Sequence, residues 1–493
     1  MQRKFLRNLV LLLVLNLLIK PFWILGIDRT VQNTVGAADY GFYFAIFNFS
    51  FLFNILLDFG ITNFNNRNIA QNTQLMRKHL SKILVLKLSL FGVYLAFTFG
   101  SALVINYSRE QIALLSLLAV NQFLLSLILY LRSNLSGLHL FRTDSLVSVL
   151  DRSLMIIICG VLLWGNVVQE FRIQYFVYAQ TAGYLITVAI VLWIVVRKGS
   201  PGLFRLSWNY PFMLMIIRQS LPFALLVLLM TFNNRIDSVM LERMLPEGNK
   251  FAGIYAMAYR LLDASNMVGY LFSLLLLPIF ARMIKERQSV EKLMKLSYTL
   301  IIIPVVILAL GSIFYATKIM QLLYTMHVAE TSQMFEFRMA EAARVFAILM
   351  PGLVALSTTY IFGTLLTAHG SLRKLNILFL VSLGFNIVMN YILIPKLQAT
   401  GSALATLIIQ SAIALIQVLI VQRIFNMKVN YGFLARLALF VAITILLNLG
   451  SRLLPFHWVI SFMIMVVASL GASVAIGLLN PRNMVHILRY GDQ

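Results

Sequence analysis

The chain has 493 residues, of which 60% are hydrophobic and only 12% are charged. A soluble protein carries roughly 25% charged residues, so the composition excludes a soluble enzyme or a soluble binding module. There are 40 Lys and Arg residues against 17 Asp and Glu, which gives a net charge of +23. In a membrane protein, Lys and Arg residues accumulate in the cytoplasmic loops and set the orientation of the chain in the bilayer. We therefore expect no nucleic-acid partner.

Apolar runs of about 20 residues, each long enough to cross the hydrocarbon core as a helix, recur along the whole chain. The first run has a basic start but no small-residue cleavage site, so it is predicted to be an uncleaved span. The pattern predicts an all-α, polytopic membrane protein with fourteen transmembrane helices. They are predicted near residues 8–27, 40–62, 80–100, 112–131, 145–165, 174–196, 218–240, 252–281, 293–313, 342–366, 374–394, 401–422, 432–451 and 457–479.

The distribution of basic residues predicts the topology. The set of loops that contains the N-terminus carries more than twice as many Lys and Arg residues as the opposite set. Basic loops stay in the cytoplasm, so both termini are predicted to be cytoplasmic. The longest outer loop, roughly 314–341, is too short for a large extracytoplasmic catalytic domain.

Two pairs of similar segments indicate a parallel internal repeat. YGFYFAI (40–46) resembles AGIYAMA (252–258), and LSGLHLFR (135–142) resembles LTAHGSLRK (366–374). Both pairs lie six predicted spans apart, which predicts two six-helix bundles of the same orientation. The predicted division is an N-terminal lobe at 1–205, a C-terminal lobe at 206–430, and helices 13 and 14 with a short cytoplasmic tail at 431–493.

Charged residues inside a bilayer are rare and usually face a cavity or a partner. Among the charged residues inside the predicted spans, we single out nine: Lys20, Asp58, Lys87, Asp151, Arg152, Arg235, Asp237, Arg260 and Asp263. A cavity lined by Lys20, Arg235 and Arg260 would suit an anionic headgroup, because a guanidinium binds phosphate with two hydrogen bonds.

Simpler structural roles remain open for several of these residues. Lys20 precedes a proline and can snorkel from a kinked helix. Arg260 and Asp263 are three residues apart and share a helix face, where they can neutralise each other. Lys87 is predicted to snorkel as well. Asp151 and Arg152 are predicted to form a structural pair.

The segment LLDFGITNFNNRNIA (56–70) ends the second predicted span with a carboxylate and an asparagine-rich exit. Asp58 near a helix C-terminus opposes the macrodipole, so it needs a partner, and Arg67 is a candidate. The pair is predicted to be either a moving cytoplasmic gate or a fixed staple of the loop.

The sequence shows no catalytic constellation. Its six histidines are scattered, it lacks a GxxxxGK[ST] loop, and its single cysteine, Cys159, lies in an apolar run. We therefore expect a transporter rather than an enzyme, with no metal and no bound cofactor. Its energy would come from protons, sodium or the membrane potential.

The segment 56–70 resembles the D-x-G-[IL]…R-x-[IL]-A segment of bacterial polysaccharide flippases, which belong to the multidrug/oligosaccharidyl-lipid/polysaccharide exporter (MOP) superfamily. DRTVQNTVGAADYGFYF (28–44) is similar to the first outer turn of that family, and LTAHGSLRK to its second-half counterpart. The positions that match the first pattern are Asp58, Gly60, Ile61, Arg67, Ile69 and Ala70.

This resemblance implies two six-helix lobes that form a V around a central cavity, plus two extra C-terminal helices. It implies the flipping of an undecaprenyl-diphosphate-linked oligosaccharide to the outer face of the bacterial inner membrane, for cell-surface polysaccharides such as O-antigen. The cationic cavity residues of the family map by position to Arg29, Arg235 and Arg260. In the related lipid II flippases the first turn reads Arg-Asp, whereas here it is reversed as Asp28-Arg29.

Further expectations concern coupling and partners. Asp28, Asp237 and Asp263 are candidates for ion coupling or for charge pairs. Besides the lipid-linked substrate, the expected partners are membrane lipids and the polysaccharide polymerase and glycosyltransferases of the same pathway.

Two other functions remain open. A cation-coupled multidrug exporter of the same superfamily would have an acidic and aromatic cavity. An integral-membrane glycosyltransferase or O-antigen polymerase would carry a large outer loop with clustered Arg, His or acidic residues. The short outer loop and the repeat argue against this second class.

Overall fold

The computed structural model describes residues 14–16, 18–62, 65, 66, 69, 74–138, 140–199 and 210–479. Every regular element in these ranges is helical. A π-helical turn (Trp23–Asp28) leads into α1 (Arg29–Leu52), which is followed by a 3₁₀ turn (Asn54–Leu57). Then come α2 (Leu75–Val104), α3 (Arg109–Gly137), α4 (Phe141–Trp164), α5 (Ile173–Gly199), α6 (Tyr210–Met244), α7 (Gly248–Lys285), α8 (Glu291–Leu323), α9 (Ser332–Leu349), α10 (Gly352–Ala368), α11 (Leu372–Phe425), α12 (Tyr431–Ser451) and α13 (Trp458–Ala475).

Within the described ranges, eleven helices are long and apolar enough to cross a membrane. The prediction of an all-α, multi-pass membrane protein is thereby confirmed. The longest, α11, has 54 residues and bends at Gln398, where φ is 53°. It therefore contains the two predicted spans 374–394 and 401–422 in one element. The count of fourteen and the V-shaped arrangement stay predictions.

The ends of the first two helices differ from the sequence prediction. The first span was predicted to end at residue 27, with Asp28 and Arg29 at its outer boundary. Instead the helix continues to Gly36, whose φ of 84° breaks it. Asp28 is only 2% exposed, so the predicted boundary was wrong. The part of α1 that follows Gly36 corresponds to the start of the second predicted span, and it ends at Leu52. Asp58 follows the 3₁₀ turn and therefore lies in a turn rather than inside a span.

Packing divides the chain into two units. The first comprises Met1–Ala256 and Phe379–Leu383, and the second comprises Met257–Leu378 and Gly384–Gln493. The division into lobes at residues 205 and 430 stays a prediction. In the first unit a core forms between α2, α3 and α5, and in the second between α8, α12 and α13.

Within the first unit, the beginning of α7 meets α1 backbone to backbone. A Cβ at Gly41 would lie 1.8 Å from the carbonyl oxygen of Asn249, and a Cβ at Gly253 would lie 1.9 Å from that of Ala37. Gln32 Nε2 also donates to the Gly253 carbonyl at 3.1 Å. The two glycines occupy corresponding positions in the similar segments 40–46 and 252–258. The close approach explains why both segments carry glycine there.

In the second unit, a buried arginine holds the loop between α8 and α9. Arg338 donates from Nε and Nη2 to the two carboxylate oxygens of Glu330, at 2.7 and 2.8 Å, and to the Thr325 carbonyl at 2.9 Å. Burial by itself raises the pKa of Glu330. The hydrogen bonds from Arg338 and from the His327 amide outweigh that effect, so its pKa lies below the ordinary value.

Substituting Gly41→Ala tests the backbone contact. The added methyl group overlaps the Asn249 carbonyl, so we expect a destabilisation of about 1–3 kcal/mol, read as a lower apparent melting temperature in detergent. Gly100→Ala is the matched control, because that helical glycine has open space around it and alanine favours a helix. Equal melting temperatures for the two variants would contradict the contact.

The Glu330–Arg338 pair predicts a pH dependence. A carboxyl with a lowered folded-state pKa stabilises the fold above its unfolded pKa of about 4.5 and loses that contribution as the pH falls through the folded-state value. We expect the melting temperature to fall more steeply below pH 4.5 in the wild type than in Glu330→Gln. Glu336→Gln, an exposed change on α9, should retain the wild-type profile.

Candidate functional site

Two cations and one carboxylate act on one another inside the first unit. Lys20 is half-buried and lies in the electrostatic field of Asp151 and Arg152 of α4. Arg152 Nε is 3.7 Å from Asp151 Oδ2. Arg132 acts on Lys20 more weakly and forms an ion pair with Asp144 at 2.9 Å. The group of Lys20, Asp151 and Arg152 is hereafter called the cationic cluster, because two of its three side chains are cationic.

Aromatic rings fix the position of Arg152. Its guanidinium carbon lies 5.4 Å from the centroid of the Trp23 ring and 5.9 Å from that of Tyr184, and Trp23 stacks on Phe176 at 5.6 Å. Each cation–π contact is worth about 0.5–2 kcal/mol. The sequence predicts that Arg152 forms a structural pair with Asp151. The contacts with the rings could not be predicted, because the rings belong to other helices, and only the position of Arg152 inside a predicted span indicated a further role.

A second polar group adjoins these rings. Asp28 accepts a hydrogen bond from the Tyr40 hydroxyl at 2.8 Å, and Gln180 Nε2 donates to the Tyr43 hydroxyl at 3.0 Å. Tyr43 also contacts Phe176 edge to face at 5.3 Å. Arg29 follows Asp28, and its buried Nε has no hydrogen-bond partner among the described residues.

Arg235 and Asp237 of α6 each contact a residue of another helix. Arg235 Nη1 donates to Asn48 Oδ1 at 3.4 Å, and its guanidinium carbon lies 5.5 Å from the Phe51 centroid. Asp237 is 1% exposed and accepts from the Tyr255 hydroxyl at 3.3 Å. Residues two apart in sequence do not share a helix face.

Arg260 and Asp263 lie on one face of α7, with Nη1 and Oδ2 4.0 Å apart. These two residues belong to the second unit, whereas Lys20, Arg29 and Arg235 belong to the first. Their predicted roles in binding and coupling stay predictions. Within the described part of the chain, no three His, Cys, Asp or Glu side chains are grouped so that they could hold a metal ion.

Asp58 finds its partner in Lys87 of α2. The Lys87 side chain is fully buried, and its Nζ donates to Asp58 Oδ1 at 2.5 Å, to the Leu57 carbonyl at 2.9 Å and to Ser126 Oγ at 2.8 Å. These three bonds use all three ammonium protons. The prediction that Lys87 snorkels was therefore wrong. Arg67 lies outside the described residues, so the Asp58–Arg67 gate stays a prediction.

The fold is shared with solved structures of membrane transporters. The lipid II flippase MurJ, in an inward closed conformation, is similar over 97% of this chain and 100% of that chain, with a TM-score of 0.70 and 16% identity. An inward-facing multidrug resistance transporter of the MATE family is similar over 82% and 94%, with a TM-score of 0.64 and 16% identity. A MOP superfamily transporter from Pyrococcus furiosus is similar over 85% and 93%, with a TM-score of 0.55 and 17% identity.

The family follows from the sequence itself. A family model described as polysaccharide biosynthesis protein matches residues 5–284, and the chain belongs to this family. A comparison with curated proteins gives no match. The family match confirms the predicted resemblance to a family of polysaccharide biosynthesis, and the fold is the one seen in solved flippase and transporter structures that include MOP superfamily members. The similar solved structures are flippases and transporters, not enzymes.

Removing Lys87 should destabilise the protein strongly. Lys87→Met leaves the Asp58 carboxylate and the Leu57 carbonyl without their donor, at a cost on the order of 3 kcal/mol. Asp58→Asn in the Lys87→Met background should recover part of this loss, because it removes the unpaired charge. The measurement is the apparent melting temperature in detergent. Arg282→Gln, in a largely exposed ion pair, should leave it nearly unchanged.

Proposed function

We propose that this protein is a flippase for an undecaprenyl-diphosphate-linked oligosaccharide. It would work by alternating access in the bacterial inner membrane, with both termini in the cytoplasm, and would supply cell-surface polysaccharide synthesis. Membership of the polysaccharide biosynthesis protein family and the fold shared with MurJ support this proposal. The glycan and its pathway are left open.

The observation that carries the proposal is the cationic cluster itself, in which two cationic side chains, Lys20 and Arg152, act on one another inside a membrane bundle. Charged residues inside a bilayer usually face a cavity or a partner. A diphosphate group would interact favourably with both cations. Arg29, with its unpartnered buried Nε in the described part of the chain, and Arg235 are further candidate contacts.

The membrane potential can bias such transport. A diphosphate linker carries about two negative charges, and each is worth about 2.3 kcal/mol per 100 mV. An inside-negative potential therefore favours outward movement by about 4.6 kcal/mol per 100 mV, without ATP. Coupling to protons or sodium through Asp28, Asp237 or Asp263 is the alternative source of energy.

One observation favours a second function, cation-coupled drug export. Asp28 and Asp237 are both buried carboxylates that accept a hydrogen bond from a tyrosine, Tyr40 and Tyr255 respectively. A buried carboxylate can bind a proton or a cation. The similar MATE-family structure is that of a multidrug resistance transporter.

The test is flipping of a fluorescent undecaprenyl-diphosphate oligosaccharide in proteoliposomes. Lys20→Gln and Arg152→Gln each remove one cation from the cluster, so we expect each to slow flipping about tenfold or more, because loss of 1.4 kcal/mol of binding corresponds to a factor of ten. Arg172→Gln is the matched control, since Arg172 is exposed and outside the cluster.

Efflux of an organic cation is measured on the same preparations. Wild-type flipping that survives both cluster substitutions would rule out the cluster as the binding site. Cation efflux that is lost in Asp28→Asn, together with no flipping of any glycan tested, would establish the drug exporter instead.

A further inference from the structure

A cavity lies in the second unit, apart from the charged residues discussed above. It has a volume of about 180 Å³ and lies where α8, α10, α11 and α12 come together. Three rings line it: Tyr298 contacts Phe362 edge to face at 5.5 Å and Phe433 at 6.2 Å. The Tyr298 hydroxyl is hydrogen-bonded with Thr358 Oγ1 at 3.3 Å. The lining is mainly apolar.

Two lysines are among the residues that line this cavity. Lys295, in the second turn of α8, forms an ion pair with Glu291. Lys428 is exposed in the loop between α11 and α12 and has no hydrogen bond or ion pair among the residues that the structure describes. The loop is fixed at both ends, since Asn426 ends α11 in a left-handed conformation and Asn430 caps α12 by accepting from the Phe433 amide at 2.9 Å. Lys428 is thereby held beside the cavity.

The helix ends beside the cavity indicate its depth in the membrane. α8 begins, α11 ends and α12 begins within a few residues of the cavity lining. Helix ends of this kind lie at the boundary between hydrocarbon and headgroups. The distribution of basic residues predicts that this boundary is the cytoplasmic one, where anionic lipids attract basic residues.

We propose that this cavity binds an anionic glycerophospholipid, with one acyl chain over the three rings and the headgroup phosphate at Lys428. The apolar lining matches a hydrocarbon chain, and the adjacent lysine matches a negative headgroup. The unbranched shape of an acyl chain suits a narrow cavity with a mainly apolar lining. The bound lipid would join α12 to α8, α10 and α11.

The test measures how phospholipids change the melting temperature of the purified full-length protein in detergent. A ligand that binds only the folded state raises the melting temperature with its concentration. We expect phosphatidylglycerol to raise it by several degrees and phosphatidylcholine to have a much smaller effect. Lys428→Gln should weaken the apparent affinity for phosphatidylglycerol about tenfold. Lys318→Gln, at the other end of α8, is the matched control and should retain the wild-type response.

A cavity-filling variant separates the acyl-chain contact from the headgroup contact. Val418 lines the cavity, and Val418→Phe should abolish the response to phosphatidylglycerol while the melting temperature without lipid stays near that of the wild type. Equal responses to the two phospholipids, or an unchanged response in Lys428→Gln, would overturn the proposal. Displacement of phosphatidylglycerol by undecaprenyl phosphate at equal concentration would also overturn it, because the occupant would then be a polyprenyl lipid.

Discussion

A charged side chain in hydrocarbon is costly unless the protein supplies a partner, and this constraint shapes the first unit. Lys87 meets it completely, because its ammonium group donates to a carboxylate, a hydroxyl and a backbone carbonyl. The carbonyl is that of Leu57, which closes the 3₁₀ turn after α1. Irregular backbone is tolerated at membrane depth only where its polar groups are satisfied. The turn and the lysine therefore depend on each other.

The same constraint separates structural charges from a candidate binding site. Asp58 and Lys87 balance each other, as do Arg132 and Asp144. In the cationic cluster, by contrast, two cationic side chains and one carboxylate act on one another. Rings of Trp23 and Tyr184 hold the guanidinium of Arg152 in place. Such preorganisation lowers the ordering cost of binding an anion such as the proposed diphosphate.

The first unit contains a close backbone contact at two glycines, and the second unit contains an apolar cavity. Gly41 and Gly253 allow the backbones of α1 and α7 to touch in the first unit. In the second unit, large rings leave a cavity of about 180 Å³ beside Lys428. The first feature follows from side-chain volume, because no side chain fits between touching backbones. The cationic cluster and the cavity are thus chemically distinct sites, one polar and one apolar.

The sequence by itself determined the class of protein, the family and the unusual charges. Hydropathy and charge are properties of consecutive residues, so the membrane spans and Lys20, Lys87 and Arg152 could be recognised without a structure. The sequence did not determine the partners of these charged residues. The partners of Lys87 lie 29 to 39 residues away along the chain. The sequence also did not determine where the first helix ends, because Gly36, and not the charged pair Asp28-Arg29, breaks it. Only the tertiary structure decided these points, because side-chain contacts depend on how separate helices pack.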